Sequence, residues 1–320
     1  MPIILTKTDY ILYRECPKNA WYKIHRPDIY PESELSEFEK SIMETGNEVE
    51  LVARKLFPDG ILIERRDEKG QKATQDYIAK RQETLFQPIF VKDNFLAAMD
   101  VLKFESETES YSIYEVKSTS CVDNKTHYHD LAFQINLLKR FGLKIGKAHI
   151  IHLNSEYVRS GELDIAQLFK VVDVSKEVES VAEAVANEAK EALNYLSQNS
   201  EPNGYCCCIY KGRSRHCSTF QHANPDVPEY SVHDIARIGN SKAKLKELID
   251  NNIFHIDKIP AHIKLTDIQQ NQIDTYVLNK IFIDKEKIKA EFAGLTFPLY
   301  FLDYETFPAA IPRFDGFSPY

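Results

Sequence analysis

Two short apolar runs that each carry charge constrain this chain most. Asn94 and the acidic stretch Glu105–Ser110 bound Phe95–Phe104 and Tyr111–Val116, which read as adjacent strands joined by a polar turn. Asp100 lies in the first run, and Glu115 and Lys117 close the second in Tyr-Ser-Ile-Tyr-Glu-Val-Lys. Side chains alternate along a strand, so Glu115 and Lys117 share a face with Ile113 while Tyr114 and Val116 pack the other. Two carboxylates and an ammonium inside apolar runs are costly to bury for structure alone. They are the groups a hydrolytic magnesium site needs. Magnesium takes oxygen ligands and one or two protein carboxylates suffice, with a lysine on the same face to orient water or offset developing negative charge.

Acidic-x-Lys also occurs at Glu188-Ala-Lys190 and Asp123-Asn-Lys125, but these read as helix and loop and lack the strand context. Downstream, His127, Asp130, Gln134 and Leu138 recur at spacings of three, four and four, one column of a helix over about Tyr128–Phe141. Leu131, Ile135 and Leu138 make that side partly buried. Gln134 therefore needs a partner, either a loop carbonyl or the metal site, because a buried unsatisfied amide costs on the order of 1–3 kcal/mol.

The remaining elements alternate. Residues 5–24 read as a helix capped by Thr8 and interrupted at Cys16-Pro17. Residues 33–57 form an amphipathic helix through Phe38, Ile42, Val49, Ala53 and Leu56. Its Gly46 suggests a close approach by another element, with Glu50 one turn on, either solvated or aimed at that gap. A polar link over Glu64–Lys72 leads to a short helix at Thr74–Gln82. A strand over Thr84–Val91 follows, with Pro88 as an edge or bulge residue. Strands at Lys147–Leu153 and Gln167–Val172 and a long helix at Ser175–Leu196 complete a mixed α/β sheet flanked by helices.

With 320 residues, 43% of them hydrophobic, the chain can build two or more cored domains. No apolar run reaches the roughly 18 residues of a membrane span, and the first residues lack a signal-peptide core. A cytoplasmic protein with no membrane partner is expected. A net charge of −8 is not that of a general nucleic-acid coat protein, though it leaves room for a local basic channel. Six cysteines in that setting favour metal ligation or catalysis over disulfides. Cys206, Cys207, Cys208 and Cys217 fall within twelve residues, and Cys16 lies far upstream. Four thiolates satisfy a structural zinc or an iron–sulfur cluster, and the spacing alone does not separate the two. Between them, Lys211, Arg213 and Arg215 make a basic loop in an acidic protein, either a phosphate contact or a solvated loop.

Residues 1–220 resemble the PD-(D/E)XK nucleases of the RecB branch, including the CRISPR-associated RecB-like exonucleases. The resemblance rests on Asp100, Glu115-Val-Lys117 and the Gln134 helix, with Glu50 at the place of the acidic or His residue on a core helix. That branch often has His at the Glu50 place and Tyr four residues after the Gln, where this chain has Leu138. The resemblance implies a restriction-endonuclease-like fold and Mg2+ or Mn2+ held by Asp100 and Glu115. It implies catalysis involving Asp100, Glu115, Lys117, Gln134 and Glu50, and exonucleolytic hydrolysis of single-stranded DNA ends. Relatives with an iron–sulfur cluster carry one cysteine before the nuclease core and three after it. The resemblance therefore implies a 4Fe–4S cluster on Cys16, Cys206, Cys208 and Cys217, stapling the first helix to the end of the domain, with Cys207 spare and Cys121 a bystander. Zinc is the alternative. A catalytically silent nucleic-acid-binding module or a zinc-stabilised scaffold would be the competing functions.

Three domains are expected: 1–222 the nuclease with its cysteines, 228–290 a helical spacer, and 291–320 the start of another module. In the spacer, Val232–Ile238 and Ser241–Asn251 read as helices around a Gly239-Asn240 turn, a degenerate helix-hairpin-helix or a plain spacer. From Leu299, a strand carrying Asp303 and Glu305 resembles the first motif of ribonuclease-H-like exonucleases. The arrangement resembles bacterial proteins with a DUF2779 domain. That module's remaining acidic motifs are absent, so the second site is expected to be incomplete and the sequence a fragment.

Overall fold

The computed structural model describes residues 3–30, 37–279, 281–305 and 309–320, the side chains of 38 and 39 excepted. The expected helix start at 33–36 and the Phe38 contribution lie outside the described residues. The chain divides into two compact units. One joins residues 1–24, 31–201 and 307–320, and the other joins 25–30 and 202–306.

In the first unit, β1 (Leu5–Thr6) runs into α1 (Lys7–Glu15), and α2 (Pro17–His25) follows after Cys16. The cap is Thr6, whose hydroxyl accepts from Asp9 N, and not Thr8 as expected. Extended Thr6 completes the strand and caps the helix in one residue. Next come α3 (Glu37–Ala53), β2 (Ile61–Leu62) and α4 (Glu68–Ala79). The strands β3 (Thr84–Phe86), β4 (Ile89–Lys92), β5 (Phe95–Ala98), β6 (Val101–Glu105) and β7 (Ser110–Lys117) follow. Then come α5 (His127–Arg140), β8 (Ile145–Leu153), the short α6 (Ile165–Leu168), β9 (Phe169–Asp173) and α7 (Ser175–Leu196).

The strands form two sheets, β1-β5-β4 and β2-β3-β6-β7-β8-β9. Within the larger sheet, β7 and β8 pair in parallel, with Glu115 opposite Ile150. They are joined by α5, the crossover that a parallel pair requires. The mixed α/β sheet flanked by helices is as expected. Two expected strands are broken, however. Thr84–Val91 divides at Gln87-Pro88, and Phe95–Phe104 divides at Met99-Asp100, so one long hairpin bends and serves both sheets. Proline cannot donate to a ladder and Gln87 has φ 53°, so the ladder turns there.

The faces of β7 divide as the alternation requires. Ile113 and Glu115 are buried towards α5. Tyr114 and Val116 pack against a cluster of Val49, Ala53, Ile151, Leu153, Leu168 and Phe169. That second cluster also contains Ala310 and Ile311. Residues 309–320 therefore pack within the first unit. Arg313 reaches Glu48 at 2.8 Å and the Tyr320 hydroxyl donates to Ser118 O at 2.6 Å. Among the described residues the expected close approach at Gly46 is absent, since a Cβ there would meet nothing within 4 Å.

The second unit has no strand among its described residues. It contains α8 (Phe220–Ala223), α9 (Lys242–Asp250), α10 (Asp267–Leu278) and α11 (Lys285–Ala293) between 3-10 turns. Only the later of the two expected hairpin helices forms. Val232–Ile238 is replaced by turns at Val232–Asp234 and Ile238–Asn240, because a Ser231/Asp234 capping box and left-handed Arg237 confine each turn. Gly239 does not present a phosphate-binding turn, since an added Cβ would lie 3.2 Å from Gly212 Cα. Nor does a strand form at Leu299: Leu299–Glu305 has no regular structure, and Asp303 and Glu305 are exposed. No neighbouring strand among the described residues offers that run a ladder.

If residues 309–320 belong to the core of the first unit, Ile311→Ala will lower its unfolding free energy by roughly 2–5 kcal/mol, the usual range for emptying a buried aliphatic site. Urea denaturation measures this, and an independent module would leave the midpoint of the first unit unchanged.

Candidate active site

The bend of the hairpin positions the first carboxylate. At the bend Gln87 N donates to Asp100 O and Met99 N to Pro88 O, both at 3.2 Å, so the two breaks face each other. Asp100 Oδ2 accepts from Val116 N at 2.8 Å, which holds its side chain beside the end of β7. Glu115 lies on the α5 face of β7 and is 2% exposed.

Around Glu115 the chain gathers four groups. Lys117 Nζ lies 2.7 Å from Glu115 Oε1 and 2.6 Å from Asp130 Oδ2. Lys7 Nζ, from the first residue of α1, lies 2.8 Å from Glu115 Oε1 and 3.4 Å from Asp130 Oδ1. Gln134 Nε2 donates to Glu115 Oε2 at 2.7 Å and to Asp130 Oδ1 at 2.9 Å. The column on α5 thus meets the strand face, with His127, Asp130, Gln134 and Leu138 all buried. Both amide hydrogens of Gln134 are used, and its Oε1 is buried with no hydrogen-bond partner among the described residues. A buried acceptor of that kind calls for water or a cation.

Glu50 joins from α3. Gln87 Nε2 donates to Glu50 Oε1 at 2.5 Å and to Asp100 Oδ1 at 3.2 Å. Arg54 Nη2 pairs with Glu50 at 2.6 Å. The structure therefore brings together Glu50, Asp100, Glu115, Lys117 and Gln134, and adds Lys7, Gln87, Arg54 and Asp130, which were not assigned from sequence. For Asp130 the signal was its place in the Gln134 column. For Lys7 it was a cation in the first turn of a helix, where the macrodipole disfavours it unless carboxylates face it. Nothing local marks Gln87 beyond the Gln-Pro step.

The charges do not balance evenly. Burial and then the neighbouring Glu115 carboxylate push Asp100 up to about 7, against the opposing pull of Lys7. Burial alone would raise Glu115 too, but Lys117, Lys7 and the Gln134 amide hold it well below the usual carboxylate range. Burial disfavours the Lys117 ammonium, yet Glu115 and Asp130 more than offset this and keep it protonated. Lys117 thus stands as a fixed cation, unsuited to act as a base near neutrality. Asp100, Glu115 and the orphan Gln134 oxygen offer the all-oxygen donors that a hard divalent cation takes.

The cysteines make a different kind of site. All six are free. The Sγ atoms of Cys16, Cys206, Cys208 and Cys217 all lie within 4.8 Å of one another, a group that can hold a metal ion. Cys207 and Cys121 are exposed and outside the set. Asn224 Nδ2 donates to Cys206 Sγ at 3.2 Å, and Lys211 Nζ lies 3.7 Å from Cys208 Sγ. Donors of this kind favour thiolates, which are soft ligands for zinc or iron. Of the three basic-loop cations, Lys211 thus faces Cys208, Arg213 pairs with Asp234 at 2.9 Å, and Arg215 is exposed.

No protein-family model matches the chain, and no curated protein does. A solved structure of AvrA delL154 with IP6 and CoA aligns over 83% of this chain and 98% of its own at 14% identity and a TM-score of 0.20. That score is too low to indicate a shared fold. No helix among the described residues is long and apolar enough to cross a membrane.

The raised pKa of Asp100 gives a pH dependence. The folded protein holds this proton up to about pH 7, whereas the unfolded chain releases it near the ordinary aspartate value of 3.8. The folded state binds more protons between those limits, so stability falls as pH rises through them. Asp100→Asn removes that slope. Urea midpoints in chelator should therefore shift in favour of the variant from about pH 4 to about pH 7 and run parallel above.

Proposed function

We propose that this protein is a divalent-metal-dependent nuclease that hydrolyses phosphodiester bonds of DNA, acting on single-stranded ends. The observation that carries the reading is the convergence of Asp100, Glu115, Lys117 and Gln134, from a hairpin bend, a strand and a helix, on one partly buried point. Asp100 and Glu115 would hold Mg2+ or Mn2+. When bound, such a cation supplies charge neutralisation at the phosphate and a water of lowered pKa.

The chain's own residues do the rest. Lys117, kept charged by Glu115 and Asp130, offsets negative charge developing on the phosphate. Gln134 fixes Glu115 through one hydrogen and Asp130 through the other. Glu50 supports Asp100 through Gln87 and adds a third negative group from α3. Lys7 shares Glu115 and Asp130 with Lys117, so two cations are aimed at the place where an anionic backbone would approach. The single-stranded preference comes from the family resemblance.

The cysteine group would carry a 4Fe–4S cluster on Cys16, Cys206, Cys208 and Cys217. The group is all sulfur, with no carboxylate or imidazole in it, a donor set that suits such a cluster and equally a four-thiolate zinc site.

Cleavage of end-labelled single-stranded DNA with Mn2+ tests the site. Lys117→Ala should lower the rate by about 10²-fold or more, the loss typical of removing one charge-stabilising donor. Equal rates for both proteins would overturn the assignment, and DNA binding without hydrolysis by wild type would favour a silent binding module. Anaerobic purification should give brown protein with about four irons and four sulfides per chain. Colourless protein with stoichiometric zinc would replace the cluster by a zinc site.

A further inference from the structure

We infer that Gln87 is a positioning residue that sets the affinity of the carboxylate site for its divalent cation, by clamping Glu50 and Asp100 to each other. The inference rests on the nuclease reading and adds to it a control point that lies outside the residues touching metal or substrate.

Three observations meet at Gln87. Its side chain is buried at 6% exposure in a site otherwise rich in charge. Its single amide nitrogen donates to two carboxylates from separate elements, Glu50 Oε1 on α3 at 2.5 Å and Asp100 Oδ1 at 3.2 Å. Its backbone adopts φ 53°, a left-handed conformation that costs a non-glycine residue energy and persists where the surroundings impose it. The orientation of the amide is set in turn. Arg66 Nη2 donates to Gln87 Oε1 at 2.5 Å, so the NH2 group must face the carboxylates.

The physical consequence is specific. Two carboxylates that repel each other would swing apart, and Glu50 and Glu115 both disfavour charge on Asp100. A neutral donor between Glu50 and Asp100 holds both near one point while leaving their negative charge intact for a cation. A lysine or arginine in that place would hold them equally well but would compete with the metal. Groups that orient metal ligands in this way typically change metal affinity by 10–100-fold when removed.

The test is a Mn2+ titration of the full chain, read by loss of the free-ion electron paramagnetic resonance signal and by cleavage of end-labelled single-stranded DNA. Gln87→Met, similar in length but with no donor, should raise the half-saturating Mn2+ concentration about tenfold or more in both readouts, with KM for DNA unchanged. Gln87→Asn accepts the left-handed backbone but is one methylene too short to span both carboxylates, and it should shift in the same direction while keeping the wild-type urea midpoint. Arg66→Met should give a smaller shift. Manganese titrations of both Gln87 variants that coincide with wild type overturn the inference, as does a fall in rate with unchanged metal dependence. If wild type binds and cleaves while the variants do not shift, the inference fails alone. If wild type neither binds Mn2+ nor cleaves, the nuclease reading fails and takes the inference with it.

Discussion

The burial of Glu115 is the constraint on which the first unit depends. A carboxylate at 2% exposure in the middle of a sheet is tolerable only when its lone pairs are filled and its charge is answered. Lys117 comes from the same strand, Lys7 from the first helix and Gln134 from the crossover helix. Each donor fixes the element that carries it, so α1, α5 and β7 are registered against one another by a single buried charge. Removing one donor leaves the others facing an imbalance in a low-dielectric setting.

Much of this was legible in the sequence, and where it was not the reason is physical. The face of β7 could be read because period-2 alternation is local, and Ile113, Glu115 and Lys117 keep it without exception. The α5 column could be read for the same reason at helical period. What could not be read were partners set by long-range closure. Lys7 meets Glu115 across 108 positions and Gln87 meets Glu50 across 37, and no local pattern encodes such pairs. The broken strands were hidden because Phe95–Phe104 is apolar on both sides of Asp100, and a bend leaves the hydrophobic run intact. Gly46 misled because a glycine in a helix signals contact only when something fills the space beside it.

The second unit shows a related limit. Residues around Gly239 carry the residue types of a phosphate-binding hairpin, but Ser231, Asp234 and left-handed Arg237 restrict the first half to separate turns, and Gly212 occupies the space beside the glycine. Composition there suggested a motif that backbone geometry does not build. The cysteines behaved differently, because sulfur clustering needs little from the intervening backbone. The run at Leu299–Glu305 has the composition of a strand, with no sheet to join among the described residues.

The bent hairpin divides the carboxylate site between two sheets. Lys7 follows directly from β1, which pairs with β5, and Asp100 follows that same β5 at its far end. Glu115 and Lys117 belong to the larger sheet. The distance across which a cation would be gripped is therefore an angle between two sheets, hinged at Gln87 and Asp100. Lys7, tied to Glu115 and Asp130, and Asp100, tied to Val116 N, both bridge the two sheets and so fix that angle.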